Sequence, residues 1–262
     1  LALDPASNVD MYNVAVGYAA GAAVTTATDS TFIGGNAGTT ATTASGVTAV
    51  GMSAGTALTT GGDNTAVGKQ ALKTATTGTG NTAVGKDALE ALETASYNTA
   101  IGFKTLEAST TGTRNVALGA YANQEGTTGN DNTYVGYSAG AATTTSSSNT
   151  SLGSYALTAI TTGDLNVAVG KDAMKTNSTG DRNVAVGNGA LQSLAPASKT
   201  DTYNTAVGLN CLFADTTGIS NTAVGGNALV ALTTGSNNLA LGRDAGRTGS
   251  PGGNITTASN EI

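Results

Sequence analysis

Asn64-Thr65-Ala66-Val67-Gly68 recurs as NTAVG at Asn81, NTAIG at Asn98, NVALG at Asn115, NTYVG at Asn132, NTSLG at Asn149 and NVAVG at Asn166 and Asn183. NTAVG then returns at Asn204 and Asn221, and NLALG at Asn238. Upstream stand NVAVG at Asn13 and two altered copies, STFIG at Ser30 and VTAVG at Val47, which makes fourteen copies. The step is 17 residues throughout, apart from 21 residues between Asn183 and Asn204. A short fixed period over nearly the whole chain specifies an array of one small unit, each stacked on the next, and leaves no room for a globular enzyme core. We number each repeat 1 to 17 from its Asn.

Composition narrows the array further. The 262 residues include 37 Gly and no Trp, with 4% aromatic and 11% charged residues, so the interior has to be thin and made of small and aliphatic side chains. A net charge of -6 without a basic run argues against nucleic acid. No stretch approaches the ~20 apolar residues of a membrane span. The single cysteine, Cys211, has no internal disulfide partner, and the absence of His removes the usual general base and metal ligand. A first residue other than Met is expected of a segment of a longer protein.

Within the repeat, position 2 is Thr or Val in thirteen of fourteen units, position 4 is always Val, Ile or Leu, and position 3 is mostly Ala. Alternation at period two is a strand signature, and the β-branched residues at positions 2 and 4 predict that this face is buried. Position 5 is always Gly (Gly68, Gly85, Gly102, Gly119, Gly136, Gly170, Gly187, Gly208 and Gly225 among them), as expected where φ must be positive to end a strand in a turn. Position 8 accepts only Ala, Thr105 or Cys211, the mark of a packed inner corner.

Position 9 is Leu72, Leu89, Leu106, Leu157, Met174, Leu191, Leu212 and Leu229 in eight units. One coil of Val, Thr and Ala encloses little apolar area, so this row is expected to lack cover from its own chain and to form the interface of a homotrimer. Thr/Ser/Gly stretches such as Thr76-Thr77-Gly78 close each unit as turns. Asp87 to Ser96 reads as a turn-like segment or one helical turn. The four extra residues between Leu194 and Tyr203 are expected to be absorbed in a loop without breaking the stack.

Stacking the units turns equal positions into ladders. The Asn row (Asn64, Asn81, Asn98, Asn115, Asn132, Asn166, Asn183, Asn204, Asn221) is predicted to pass amide hydrogen bonds from coil to coil. The domain reading is a lead-in over 1–12, a repeat solenoid over 13–249 with the insertion within 194–203, and a junction over 250–262.

The unit NTAVGxxAL resembles the head repeats of YadA-like trimeric autotransporter adhesins, of the form NSVAIGxxA. The resemblance runs from Asn13 to about Gly246 and implies an all-β, left-handed parallel β-solenoid, or β-roll, of about fourteen 17-residue coils that trimerises, intertwined or side by side. This chain departs from that family in repeat length and in the Leu after the small residue. It is also similar to the repeat shafts of phage tail-fibre-like proteins, where such units precede an endosialidase-type intramolecular chaperone. That family's chaperone trimerises the shaft and is then cut off, and Ser250 to Ile262 resembles the junction ahead of it; its catalytic residues are not in this sequence.

The resemblances imply a structural and adhesive segment of a viral tail fibre, a rigid trimeric spacer in host-surface recognition, located on a virion or at a cell surface. The alternatives are the head of a bacterial trimeric autotransporter adhesin and a Thr-rich ice-binding solenoid. Against the last stands the reading of the position 2 Thr row as buried. Expected partners are two further copies of the chain and a host-cell glycan or protein receptor, with no nucleic acid and no membrane insertion. Tyr18, Phe103, Tyr121, Tyr137 and Tyr155 follow the motif Gly closely and are the candidate glycan contacts.

No enzymatic activity is expected. Without His there is no Ser-His-Asp arrangement, and Lys86-Asp87 and Lys171-Asp172 read as solvated turns, not acid/base pairs. The oxygen-rich loop Gly129-Asn130-Asp131-Asn132 lacks the GGxGxD spacing of calcium β-rolls, so neither metal nor cofactor is expected. Cys211, in the small-residue corner, is predicted to be a buried, inert thiol.

Overall fold

The computed structural model describes residues 12–247. Most of the lead-in and all of the 250–262 junction lie outside the described residues. The fold is an all-β parallel solenoid of about 13 turns with ~17 residues per coil, and no helix occurs among the described residues. The chain divides into two compact units, one ending at Asp131 and the other starting at Asn132.

The first unit carries β1 (Val14–Val16), β2 (Thr31–Ile33), β3 (Thr48–Val50), β4 (Thr65–Val67), β5 (Thr82–Val84), β6 (Thr99–Ile101) and β7 (Val116–Leu118). Each pairs in parallel with the next at a shift of one repeat: Thr65 faces Thr82, Ala66 faces Ala83 and Val67 faces Val84. The second unit carries β8 (Thr133–Val135), β9 (Thr150–Leu152), β10 (Val167–Val169), β12 (Val184–Val186), β14 (Thr205–Val207), β15 (Thr222–Val224) and β16 (Leu239–Leu241) in the same arrangement. The insertion leaves the stack unbroken, since β12 still pairs with β14 as Val184 to Thr205. Its residues add a two-residue ladder of β11 (Gly180–Asp181) with β13 (Thr200–Asp201). The motif strands are three residues long, shorter than the five-residue motif, and most of the rest of each coil is turns and bends.

The faces of the strand are the reverse of the expectation. In β4 and β5 the buried residue is the central Ala, while Thr65, Val67, Thr82 and Val84 stand half-exposed on the outside. Alternation of period two identifies two faces but not which one points inward. Here the inside is decided by volume. Position 9, across the coil from position 3, is the Leu row, and every one of Leu72, Leu89, Leu106, Leu157, Met174, Leu191, Leu212 and Leu229 is fully buried within its own chain. These residues are the core of the coil and are not available as an interface; a Leu on one wall leaves space for only Ala, or in one coil Ser151, on the other.

Two coils prove the rule by inverting it. Where position 3 is Phe32 or Tyr134, position 9 is Gly38 or Gly140, and a Cβ on either glycine would fall 2.1 Å from the Phe32 ring or 2.3 Å from the Tyr134 ring. Tyr134 is fully buried and its hydroxyl is met by Thr143, whose Oγ1 lies 3.2 Å away. In a third coil Leu58 at position 12 fills the space beside Gly55.

The Leu side chains turn inward because their backbone is left-handed, with φ of 49° at Leu72 and 50° at Leu89. That conformation costs a non-glycine residue roughly 1–2 kcal/mol. It is offset by burial of the side chain, worth about 1.5–3 kcal/mol, and by the bond that Leu72 N–H donates to Ala88 C=O at 3.1 Å on the next coil.

Two ladders run along the coils within each unit. Asn64, Asn81, Asn98, Asn115, Asn132, Asn166, Asn183, Asn204 and Asn221 are all buried, and Asn98 Nδ2 donates to Asn81 Oδ1 at 3.2 Å and to Gly112 C=O at 2.8 Å. The glycine row has a second reason beyond its positive φ. A Cβ at Gly85 would lie 2.2 Å from the carbonyl oxygen of Gly102, so the coils approach too closely here for any side chain. A third ladder is formed by Thr hydroxyls at position 13, Thr42 to Thr59 C=O at 3.0 Å and Thr59 to Thr76 C=O at 3.1 Å.

Candidate interaction surface

The outward face of each unit's strands is built from positions 2 and 4 alone. Its residues are Thr, Val, Ile and Leu without one ionisable group. Position 4 is the more prominent row: Ile33, Ile101, Leu152, Val186 and Val224 are each more than a third exposed although neighbouring strands flank them. Position 2 presents Thr31, Thr48, Thr65, Thr82 and Thr99 in register on successive strands. Strand neighbours lie ~4.8 Å apart, which makes this a regular two-row surface of apolar and hydroxyl groups. Sequence reasoning missed it because it placed these same residues inside.

The aromatic candidates fall just beyond this face. Tyr18 is 83% exposed and Tyr137 47% exposed, whereas Phe103, Tyr121 and Tyr155 are half-buried. Phe103 and Tyr121 meet edge to face at 5.3 Å, as do Tyr137 and Tyr155 at 5.4 Å. Lys86 lies over the Phe103 ring at 5.4 Å and Lys175 over Tyr155 at 5.3 Å. Tyr97 and Tyr203, at the turn residue before the Asn, are exposed as well and were not anticipated.

The Lys-Asp turns are not both solvated. Asp172 is partly covered, but Asp87 is 5% exposed, contrary to the expectation for it. The 17-residue period sets Glu90 beside Glu107 on the next coil, and one carboxylate oxygen from each of Asp87, Glu90 and Glu107 lies within 4.8 Å of the others. Lysines approach from outside: Lys73 Nζ to Glu90 at 2.9 Å, Lys104 Nζ to Glu107 at 2.5 Å and Lys86 Nζ to Asp87 Oδ2 at 3.5 Å. The other oxygen, Asp87 Oδ1, is buried without a hydrogen-bond donor. Equal spacing of Glu90 and Glu107 was the sequence signal for this cluster.

The Asn-Asp loop is engaged within the chain. Asn130 Oδ1 accepts from Thr113 N–H at 2.8 Å, and Asp131 is held in a two-point pair by Arg114. The Arg114 hydrogen bond and charge keep the Asp131 carboxyl below its usual range and raise the Arg114 guanidinium. Cys211 is buried, its Sγ 3.1 Å from Ala223 C=O, and burial pushes its thiol up to about 11, as fits an inert core residue. The second buried ionisable group of note, Asp215, occupies position 12 in the core and is pushed up to about 6 by burial.

No protein-family model matches the chain, and a search of curated proteins finds none similar to it.

Proposed function

We propose that the chain is a structural and adhesive segment of a viral tail fibre, in which three copies wind as left-handed β-rolls and join through the outward faces of their strands. The observation that carries this reading is the uncharged Thr/Val/Ile/Leu surface of positions 2 and 4 on a chain whose net charge is -6. Soluble proteins seldom expose an extended apolar surface unless something covers it. A second copy of the chain offers the same period and the same strand spacing, so rows match rung by rung. Each half-exposed aliphatic side chain covered in this way contributes on the order of ~1 kcal/mol, and repetition makes the total large. The exposed Tyr18 and Tyr137 remain on the outside as receptor-facing groups, and threefold repetition multiplies a weak contact.

Sedimentation tests the reading. The expected result is a species of three 25.3 kDa chains that Val67→Asp with Val84→Asp converts to monomer while circular dichroism keeps its β signature. A wild-type monomer at tens of micromolar, about the concentration at which a fibre interface should be saturated, overturns it.

One observation favours a second reading. The Thr row that the sequence placed inside stands outside, in register with an aliphatic row, which is the disposition an ice-binding solenoid requires. Thermal hysteresis of the monomeric double variant's parent, absent after Thr65→Lys with Thr82→Lys, would replace the fibre reading by this one.

A further inference from the structure

We propose that Asp63 of one copy and Lys69 of the next form an ion pair at the rim of the assembled faces, and that this pair holds the copies parallel and in step. The inference rests on the assembly proposed above and adds to it which edges meet and at what height.

Of the 11 lysines and arginines, Lys69 alone makes no ion pair within the chain. The cause is local. Cations recur at position 6, and Lys86, Lys171 and Arg243 each meet an Asp at position 7, at 3.5, 3.7 and 3.4 Å. Lys69 is followed instead by Gln70, whose amide donates to Glu90. Asp63 is the matching anion. It occupies position 17, the row in which Arg114 neutralises Asp131 from the neighbouring coil. The row neighbours of Asp63 are Gly46 and Gly80, which offer no side chain, and its Oδ1 lies only 2.6 Å from where a Cβ on Gly46 would stand. Asp63 therefore has no ion pair either, and both residues are exposed. They are kept apart within the chain, because Asp63 precedes β4 and Lys69 follows it.

Symmetry brings them together. Rotation about an axis parallel to the stack keeps every coil at its own height, and a closed ring permits no slip. With the outward faces turned to that axis, the end of a strand in one copy reaches the start of the same strand in the next. Lys69, at the end of β4, then stands level with the neighbour's Asp63 at its start, and a threefold ring makes the contact three times. A dyad running along the strands would instead set position 6 against position 6. That row holds Lys69, Lys86, Lys171 and Arg243 and no acid in any unit, so like charges would meet. Charge thus selects the cyclic, parallel arrangement, while the uncharged rows at positions 2 and 4 supply the buried area.

Carbodiimide treatment of the full 262-residue chain, which joins a carboxylate to an amine only where the two touch, tests the contact. We expect covalent bands at two and three times 25.3 kDa and a cross-linked peptide that joins Asp63 to Lys69. Lys69→Gln should remove that peptide and weaken assembly roughly tenfold in sedimentation, as three exposed pairs contributing about twofold each predict. Asp63→Lys should weaken it roughly a hundredfold by setting like charges together. Asp63→Lys with Lys69→Asp should restore assembly to within about threefold of wild type, which separate roles within one chain would not do. Circular dichroism verifies that each variant is folded, and the cross-linked peptide of the unaltered chain decides the matter should a variant unfold. A wild-type trimer without that peptide, or a double reversal no better than the single one, would overturn this contact and leave the assembly reading standing. A wild-type monomer would overturn both.

Discussion

Asn64 Oδ1 accepts two hydrogen bonds from one residue, Asn81: the side-chain Nδ2–H at 3.1 Å and the backbone N–H at 2.9 Å. The relation repeats at Asn98 over Asn81, so Asn81 serves as donor to one coil and acceptor to the other. Asn98→Ala would strip the acceptor from Asn115 N–H and Nδ2 and the donor from Gly112 C=O, all of them buried. With an unsatisfied buried polar group costing about 1–3 kcal/mol, the expected loss is on the order of ~3 kcal/mol. Asn98→Ser should cost less, because Ser30 fills this position and its Oγ still accepts from Val47 N–H at 3.1 Å. Urea unfolding of the two variants measures the difference; equal losses would contradict the ladder.

The glycine row should be intolerant to a single methyl group. A Cβ at Gly85 meets the Gly102 carbonyl oxygen at 2.2 Å, and its φ of 140° is itself strained for an L-residue. Gly85→Ala is expected to cost more than about 3 kcal/mol. Gly226→Ala, where nothing lies within 4 Å, is the matched control and should change stability by less than about 0.5 kcal/mol. Melting temperatures of the pair decide the matter.

Tyr134 and Gly140 share one volume of core. Gly140→Leu alone drives a side chain into the Tyr134 ring, and Tyr134→Ala alone opens a cavity, so each is expected to destabilise by about 2–5 kcal/mol. The double variant reproduces the arrangement of Ala83 with Leu89, whose φ of 50° nearly matches the 59° of Gly140. A double-mutant cycle should show favourable coupling of more than ~2 kcal/mol. Additive losses would mean that the two positions do not compensate.

Asp215 makes stability depend on pH. Its Oδ1 accepts from Gly218 N–H at 2.7 Å, yet burial raises the carboxyl from 3.8 to about 6. A raised folded-state value means that the neutral form is favoured in the fold. Its stabilising contribution is therefore complete below about pH 4 and is lost as pH rises through about 6. The loss amounts to about 3 kcal/mol at pH 7 and above. Asn177 occupies the same position in another coil and accepts from Gly180 N–H at 2.8 Å without a charge. Asp215→Asn should accordingly stabilise the chain at pH 7.5 and flatten the profile between pH 4 and 7, about the window set by the two values. Chemical denaturation across that range provides the measurement.

The sequence by itself determined the fold class and the contents of its ladders. A step of 17 residues repeated with so little variation forces equal residues into register, and from this follow the parallel pairing of Thr65 with Thr82, the buried Asn column and the close-packed Gly column. The harmless passage of the insertion followed as well, since a longer turn does not alter the strand that comes after it. Tertiary structure alone decided which face of the strand points inward. Thr65-Ala66-Val67 is compatible with either phase, and the choice rests on Leu72 reaching across the coil from a left-handed turn that no local pattern announces. Once Leu72 takes that volume, only Ala66 fits opposite, and Thr65 and Val67 are turned out to form the surface. The acidic cluster arose in the same way: Glu90 and Glu107 are neighbours by period, but only the turn at Asp87, with φ of 58°, brings the third carboxylate to them.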